Sequence, residues 1–305
     1  MTPTLPRDID VRSFDDLHDR QDQWRAVIES IAREQLGETG EVRQVGDSTT
    51  LVALLGSTRV LKLFPPFLRD HFEYESAMLD LVHGRLSLPT PRKLAVGDRY
   101  GWPFLVISQL SGEPMTGTWP TMNEAERCAV LHEIGGLTKE VHALPVAALE
   151  PVSLRWDDFI ASQRKGCLGR QQRTKLPDHL LEQVEAFVAG PLPEGPAVPL
   201  TGEYTPMNLF TRDQRLAAMF DFGDGLVGPR QYDWLGPPAF LCAGQRERIA
   251  AYFDGYGERP SREERLALMR LFLLHRYSNL RGQIAMENWR EAADFAELAE
   301  RLFAG

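Results

Sequence analysis

The sequence predicts an α+β fold in two lobes, a small β-rich one followed by a larger and mostly helical one. Three observations carry this. Short apolar-rich segments, Glu41–Val45, Thr50–Leu55 and Thr58–Phe64, succeed one another across turns at Gly46-Asp47 and Gly56-Ser57, as antiparallel strands do. From Glu124 onward the apolar residues recur at helical rather than strand spacing. Between the two textures, Ser111-Gly112-Glu113-Pro114 breaks any regular element. The expected division is therefore residues 1–107, a hinge at 108–114, and residues 115–305.

The elements follow in chain order. Trp24, Val27, Ile28, Ile31 and Ala32 give a leading helix over Gln21–Gln35, closed by Gly37. After the three strands, a helix is predicted from Arg69 to His83. Strands then follow at Lys93–Gly97 and Phe104–Gln109. In the second lobe helices are expected at Glu124–His142, Trp156–Arg164, Pro177–Ala189, Gln245–Gly255, Arg262–His275 and Glu287–Phe303. Two short strand-like pieces, Val198–Thr201 and Leu216–Phe222, interrupt them. No internal repeat or low-complexity tract is visible.

Composition excludes several classes. The 305 residues suffice for two lobes that share a cleft, and 43% hydrophobic with 25% charged residues is ordinary for a packed soluble chain. A net charge of −9 argues against nucleic acid as a partner and is compatible with a cationic small molecule. Cys128, Cys167 and Cys242 are widely spaced, so neither a disulfide framework nor a zinc signature is expected. The apolar run near Leu266–Leu274 is broken by Arg270 and falls short of the roughly 20 residues that cross a bilayer. The first residues lack a basic stretch followed by an apolar one. Cytoplasmic location, no membrane association, and a monomer or dimer are the expectations.

Chemistry concentrates in Thr201-Gly202-Glu203-Tyr204-Thr205-Pro206-Met207-Asn208 and Phe220-Asp221-Phe222-Gly223-Asp224. Phosphoryl transfer needs hard-oxygen metal ligands, a cation on the phosphates, and a carboxylate that orients the attacking hydroxyl. Glu203 precedes the amide of Asn208 by five residues, and Asp221 ends the next strand. In the first lobe, Lys62 lies within the apolar strand Val60-Leu61-Lys62-Leu63-Phe64, where an unpaired ammonium is costly. Glu75 on the following helix is its expected partner.

This arrangement resembles the protein-kinase pattern H-R-D-x-x-x-x-N with D-F-G, and more closely the antibiotic-kinase version H-G-D-x-x-x-x-N with D-F-x-D. Val141-His142-Ala143-Leu144-Pro145 and Gly228-Pro229-Arg230-Gln231-Tyr232-Asp233 also look like segments of the aminoglycoside phosphotransferase family. Trp156-Asp157-Asp158-Phe159 and Leu274-His275-Arg276-Tyr277-Ser278-Asn279-Leu280 look like its hygromycin B kinase branch. The resemblance covers nearly the whole chain and implies a protein-kinase-like fold whose first lobe covers ATP or GTP with Mg²⁺.

By that resemblance Glu203, Asn208 and Asp221 are catalytic, and Asn208 and Asp221 hold the metal. Lys62 and Glu75 take the nucleotide phosphates, which Ser48 and Thr49 cover. Backbone groups of Gln109 and Leu110 meet the base, and Asp224, Asp157 and Asp158 face a cationic or hydroxylated acceptor. Asp233 ties down the catalytic loop or simply caps a helix. The implied reaction is phosphorylation of a hydroxyl on an aminoglycoside or aminocyclitol. A sugar, choline or homoserine kinase is the alternative on the same scaffold. Thr201 and Glu203 stand where the family has histidine and aspartate. Glu203 adds a methylene and leaves a nucleotide-binding pseudokinase as a further alternative.

Overall fold

A computed structural model describes residues 5–37, 41–46 and 48–305. Asp47, in the expected phosphate-covering turn, and the first four residues lie outside the described residues.

The chain opens with α1 (Val11–His18), an element absent from the sequence expectation. Two of its residues, Phe14 and Leu17, are buried. Asp10 starts it by accepting the Ser13 N–H at 2.8 Å. Helix α2 (Gln21–Leu36) buries the predicted Trp24, Val27, Ile28, Ile31 and Ala32 and ends at Gly37 with φ +75°.

Strands β1 (Val42–Val45), β2 (Leu51–Leu55), β3 (Arg59–Leu63), β4 (Lys93–Arg99) and β5 (Trp102–Ser108) form one antiparallel sheet in the order β1-β2-β3-β5-β4. Helix α3 (Arg69–Val82) crosses between β3 and β4. Two apolar cores result. One joins α1 and α2 to the sheet through Trp24, Ile28, Leu61 and Trp102. The other runs from Tyr74, Met78 and Leu105 into the helices beyond.

The second half is helical apart from short strands. Its helices are α4 (Met115–Thr118), α5 (Glu124–His142), α6 (Trp156–Arg173), α7 (Asp178–Leu181), α8 (Val184–Val188), α9 (Arg246–Tyr256), α10 (Arg262–Leu274), α11 (Leu280–Gln283) and α12 (Phe295–Phe303). Asn123 and Glu126 form a reciprocal cap on α5, as Ser261 and Glu264 do on α10. Strands β6 (Glu113–Pro114), β8 (Leu209–Arg212) and β9 (Arg215–Met219) form one small sheet, and β7 (Ala197–Leu200) pairs with β10 (Leu226–Pro229). These two small sheets hold the loop 201–208 and the turn 220–225 side by side. The Phe220 N–H donates to the Asn208 carbonyl at 3.1 Å.

Three predicted helices are redrawn. The one expected over Pro177–Ala189 is two short helices, and the one from Trp156 continues to Arg173. The one expected over Glu287–Phe303 begins only at Phe295, because Asp294 caps the Glu297 N–H at 2.8 Å. The β-rich first half and the helical second half match the α+β, protein-kinase-like architecture.

Candidate active site

Lys62 sits on β3 opposite Val52 and Leu105, in the interior of the sheet. A cation there requires counter-charge, and two carboxylates from distant segments supply it. Lys62 Nζ lies 2.8 and 2.6 Å from the Glu75 carboxylate oxygens on α3, and 2.8 Å from Asp221 Oδ1. The side chains of Lys62 and Glu75 are 8% and 1% exposed while Asp221 is 38% exposed, so the group opens to solvent on its Asp221 side. Burial works against the ammonium, but Asp221 and Glu75 outweigh it and hold its pKa above the ordinary lysine value.

Asp221 adopts φ +68°, a left-handed backbone that aspartate tolerates better than most side chains. The following Phe222 is fully buried, which anchors the turn.

The loop before it is clamped from beneath by Asp233. This carboxylate accepts the Thr201 N–H at 2.9 Å, the Thr201 hydroxyl at 3.3 Å and the Gly202 N–H at 2.9 Å. His142 Nε2 contacts it at 3.2 Å and is backed by the Tyr256 hydroxyl at 3.1 Å. Asp233 lies inside the turn Arg230–Trp234, so it spans to the loop and is not a helix cap. His275 Nε2 meets the Gly202 carbonyl at 3.0 Å, and its ring stacks on Tyr232 at 5.0 Å. Burial lowers its pKa, leaving a neutral ring to donate to that carbonyl. Gly202 has φ +81°, and a Cβ there would stand 2.4 Å from the Asp224 backbone oxygen. Only glycine permits this approach of loop and turn.

Within the clamped loop the Asn208 amide NH₂ donates to the Glu203 backbone carbonyl at 3.4 Å and to Glu203 Oε2 at 3.5 Å. This leaves the amide oxygen of Asn208 for another partner. The Glu203 carboxyl is pushed up to about 8, first by burial, then by the charges of Asp224 and Asp221.

Asp224 is differently placed from the sequence expectation of an acceptor-facing acid. Its Oδ1 takes the Tyr277 hydroxyl at 2.9 Å, His71 Nδ1 at 3.2 Å and Arg276 at 3.8 Å. His71 and Arg276 also touch each other. Burial opposes its charge, yet the bonds from His71 and Tyr277 and the Arg276 cation hold its pKa low. Asp157 and Asp158 are exposed in the first turn of α6, Asp158 pairing with Arg155 at 3.4 Å. Asp157 borders a depression of about 310 Å³ with Trp156, Leu154 and Val227.

At the start of the second half, the Gln109 N–H donates to the Thr58 carbonyl at 2.8 Å. Ser48 Oγ donates to the Thr50 carbonyl at 2.6 Å.

The structure thus joins Lys62, Glu75 and Asp221 in one cluster and Glu203 with Asn208 in another, the two meeting at the Phe220–Asn208 bond. Sequence reasoning missed His71, Tyr74 and Tyr277. Tyr74, one residue before Glu75, donates to the Leu200 and Leu226 carbonyls, each at 2.9 Å.

Among the described residues no three His, Cys, Asp or Glu side chains gather as a metal site. The fit to Mg²⁺ is of another kind. One carboxylate and one amide oxygen, with nucleotide phosphates completing the shell, suit a cation that keeps hard oxygen ligands and few protein groups.

Comparison with known proteins bears on this geometry. The structure of the streptomycin–ATP–APH(2″)-IIa ternary complex matches with a TM-score of 0.62 at 19% identity, over 81% of this chain and 89% of that one. Macrolide 2′-phosphotransferase MphH from Brachybacterium faecium matches at 0.57 and 19% identity, covering 91% and 97%. A thermostable mutant of APH(4)-Ia matches at 0.58 and 16% identity, covering 90% and 98%. A search of curated protein sequences gave no significant match. Residues 41–268, which hold Lys62, Glu75, the clamped loop, Asp221 and Asp233, match the model of the phosphotransferase enzyme family, and the chain is a member of that family.

Proposed function

We propose that the chain transfers the γ-phosphoryl group of ATP to a hydroxyl of an aminoglycoside or aminocyclitol. The observation that carries this is Lys62, held at 2.6–2.8 Å between Glu75 and Asp221. A buried strand lysine oriented by a helix glutamate is suited to the α- and β-phosphates. Asn208 and Asp221 would hold Mg²⁺, which neutralises charge on the phosphates when bound. Ser48 and Thr49 border the phosphates, and the carbonyl of Gln109 with the N–H of Leu110 meets the base. Residues 108–114 connect the two lobes that enclose the nucleotide.

Glu203 orients the acceptor hydroxyl and takes its proton. A carboxyl pushed up to about 8 is a stronger base than an ordinary glutamate when ionised. Thr201 replaces a family histidine without loss of the clamp, since its N–H and hydroxyl both reach Asp233. Asp233 and His275 are positioning residues for this loop. The streptomycin, gentamicin and hygromycin B in neighbouring structures support an amine-bearing acceptor, as does the net charge of −9. The chain works in the cytoplasm, where ATP is available.

The test is ADP formation by the purified chain with ATP-Mg²⁺ and gentamicin, streptomycin, hygromycin B, choline, homoserine or simple sugars. Acceptor-dependent turnover with one of the three antibiotics is expected, lost at least about 10³-fold in Asp221→Ala. Lys62→Ala and Glu75→Ala should each impair turnover, with a double mutant little worse than either, because the two act as one unit. Turnover only with a metabolite would replace the acceptor. Nucleotide binding without any turnover would favour a pseudokinase.

A further inference from the structure

Three consecutive residues past the end of α10 each reach a different part of the catalytic apparatus. His275 Nε2 meets the Gly202 carbonyl of the clamped loop at 3.0 Å, Arg276 contacts His71 of α3, and the Tyr277 hydroxyl donates at 2.9 Å to Asp224 in the turn that carries Asp221. All three follow residue 268, where the family match ends. His275 leaves the helix with an extended backbone, φ −57° and ψ 144°, and such a backbone sends successive side chains to different sides.

The segment is itself held. The Arg276 N–H donates to the Tyr232 hydroxyl at 3.3 Å, the Tyr277 N–H to His275 Nδ1 at 3.3 Å, and Ser278 Oγ accepts from the buried Gln171 amide at 2.9 Å. Gln283 closes the other side, accepting from the Asn279 N–H at 2.8 Å and donating to the Tyr277 carbonyl at 3.1 Å. Side chains supported in this way can fix the geometry of the groups they touch.

What they grip is the seat of Asp221. A Cβ on Gly223 would stand 3.4 Å from Glu75 Oε2 and 3.6 Å from His71 Cβ, so the Asp221 turn lies directly on α3. Asp224 ends that turn, and its Oδ1 collects Tyr277, His71 Nδ1 at 3.2 Å and Arg276 at 3.8 Å. The Arg276 cation also offsets the Asp224 charge, which would otherwise repel Asp221 and Glu203.

These contacts force one arrangement of protons. A guanidinium has donors only, so the His71 Nε2 that Arg276 touches is an acceptor and carries no hydrogen. The ring hydrogen then sits on Nδ1 and goes to Asp224. His275 is the reverse, since its Nδ1 accepts the Tyr277 N–H and its Nε2 carries the hydrogen to Gly202.

We propose that Arg276 and Tyr277, acting through His71 and Asp224, are positioning residues that set Asp221 for the metal-bound nucleotide. The assignment rests on the phosphotransferase function above and adds to its machinery a segment beyond the loop and turn motifs.

Two readouts test it. Nitrogen NMR of the full chain with isotope-labelled histidine, free of ligand, is expected to show a bare Nε2 on His71 and a bare Nδ1 on His275. In Arg276→Met the His71 Nε2 signal should move toward the protonated position while His275 keeps its form. Calorimetric titration with the non-hydrolysable nucleotide AMP-PNP, in Mg²⁺ and in EDTA, then measures the gain in affinity that the metal brings. Arg276→Met should cut that gain about ten-fold and Tyr277→Phe about three-fold, the cost of a ligand moved by part of an ångström, with affinity in EDTA altered less than about two-fold. Tyr277 is 37% exposed, so Tyr277→Phe keeps the fold and decides the question should Arg276→Met unfold. A protonated Nε2 on wild-type His71 would overturn the assignment. So would a lower melting temperature with the metal-dependent gain unchanged, which would assign these residues to the fold alone. A wild-type chain whose AMP-PNP affinity is the same with and without Mg²⁺ would instead overturn the phosphotransferase function, so the two failures are distinct.

Discussion

Glu203 shares its surroundings with Asp221 and Asp224, and that crowding has a measurable sign. Its folded pKa is raised from 4.5 to about 8, so the folded chain holds the proton more tightly than the unfolded chain. The stability this contributes is full below about pH 4.5 and is lost as the pH rises through about 8. Without metal or nucleotide, Glu203→Gln should therefore raise the melting temperature at pH 8–9 and change little at pH 4. An equal effect at both pH values would show that the carboxyl is not raised. Glu203→Asp should lower kcat, because Asn208 already meets the carboxylate at the longer side chain's reach, 3.5 Å away. A gain of about 10²-fold would instead mark a misplaced glutamate. The Lys62–Glu75 pair was legible in the sequence because an ammonium inside an apolar strand demands counter-charge. His71 and Tyr74 were not, because their partners lie 205 and 126 residues away. Asp224 was legible as an acid but not as one already satisfied by its own neighbours.

Among the elements, α5 and α9 show how closely two helices can be set. A Cβ on Gly135 of α5 would stand 2.1 Å from the Tyr252 carbonyl, and one on Gly255 of α9 2.0 Å from that of His132. Backbone meets backbone where the helices cross, and neither can yield without moving as a whole. Gly135→Ala should cost about 3 kcal/mol or more by forcing them apart. Its neighbour Gly136 meets nothing nearer than 3.9 Å. There alanine should stabilise by about 0.5–1 kcal/mol, the ordinary preference of a helix interior. Urea unfolding of both variants checks the pair, and equal shifts would refute the close crossing. The long helices were legible because their caps and apolar period agree. Helix α1 was overlooked although Val11, Phe14 and Leu17 recur at helical spacing in its eight residues, and α12 was drawn too long because Asp294 was not recognised as its cap.

Across the whole molecule, α3 belongs to both halves. Glu75 faces the sheet through Lys62, while Tyr74, one residue earlier, is pinned to β7 and β10. Its hydroxyl has one hydrogen and two carbonyls at 2.9 Å, so the bond is shared and both strands lose it together. Tyr74→Phe should lower stability by about 1–2 kcal/mol and raise the KM for ATP more than it lowers kcat, because it frees the helix that carries Glu75. Thermal unfolding and initial-rate kinetics check this, and an unchanged KM would show that α3 is held by packing alone.

The pinning of Tyr74 also bears on control. A switchable kinase needs its glutamate-bearing helix to swing away at low cost, so that a phosphate group or a partner can call it back. Here such a swing would strip two buried carbonyls, a salt bridge and a share of the larger core at once. The pinned helix therefore holds Glu75 against Lys62 through contacts that all oppose such a swing.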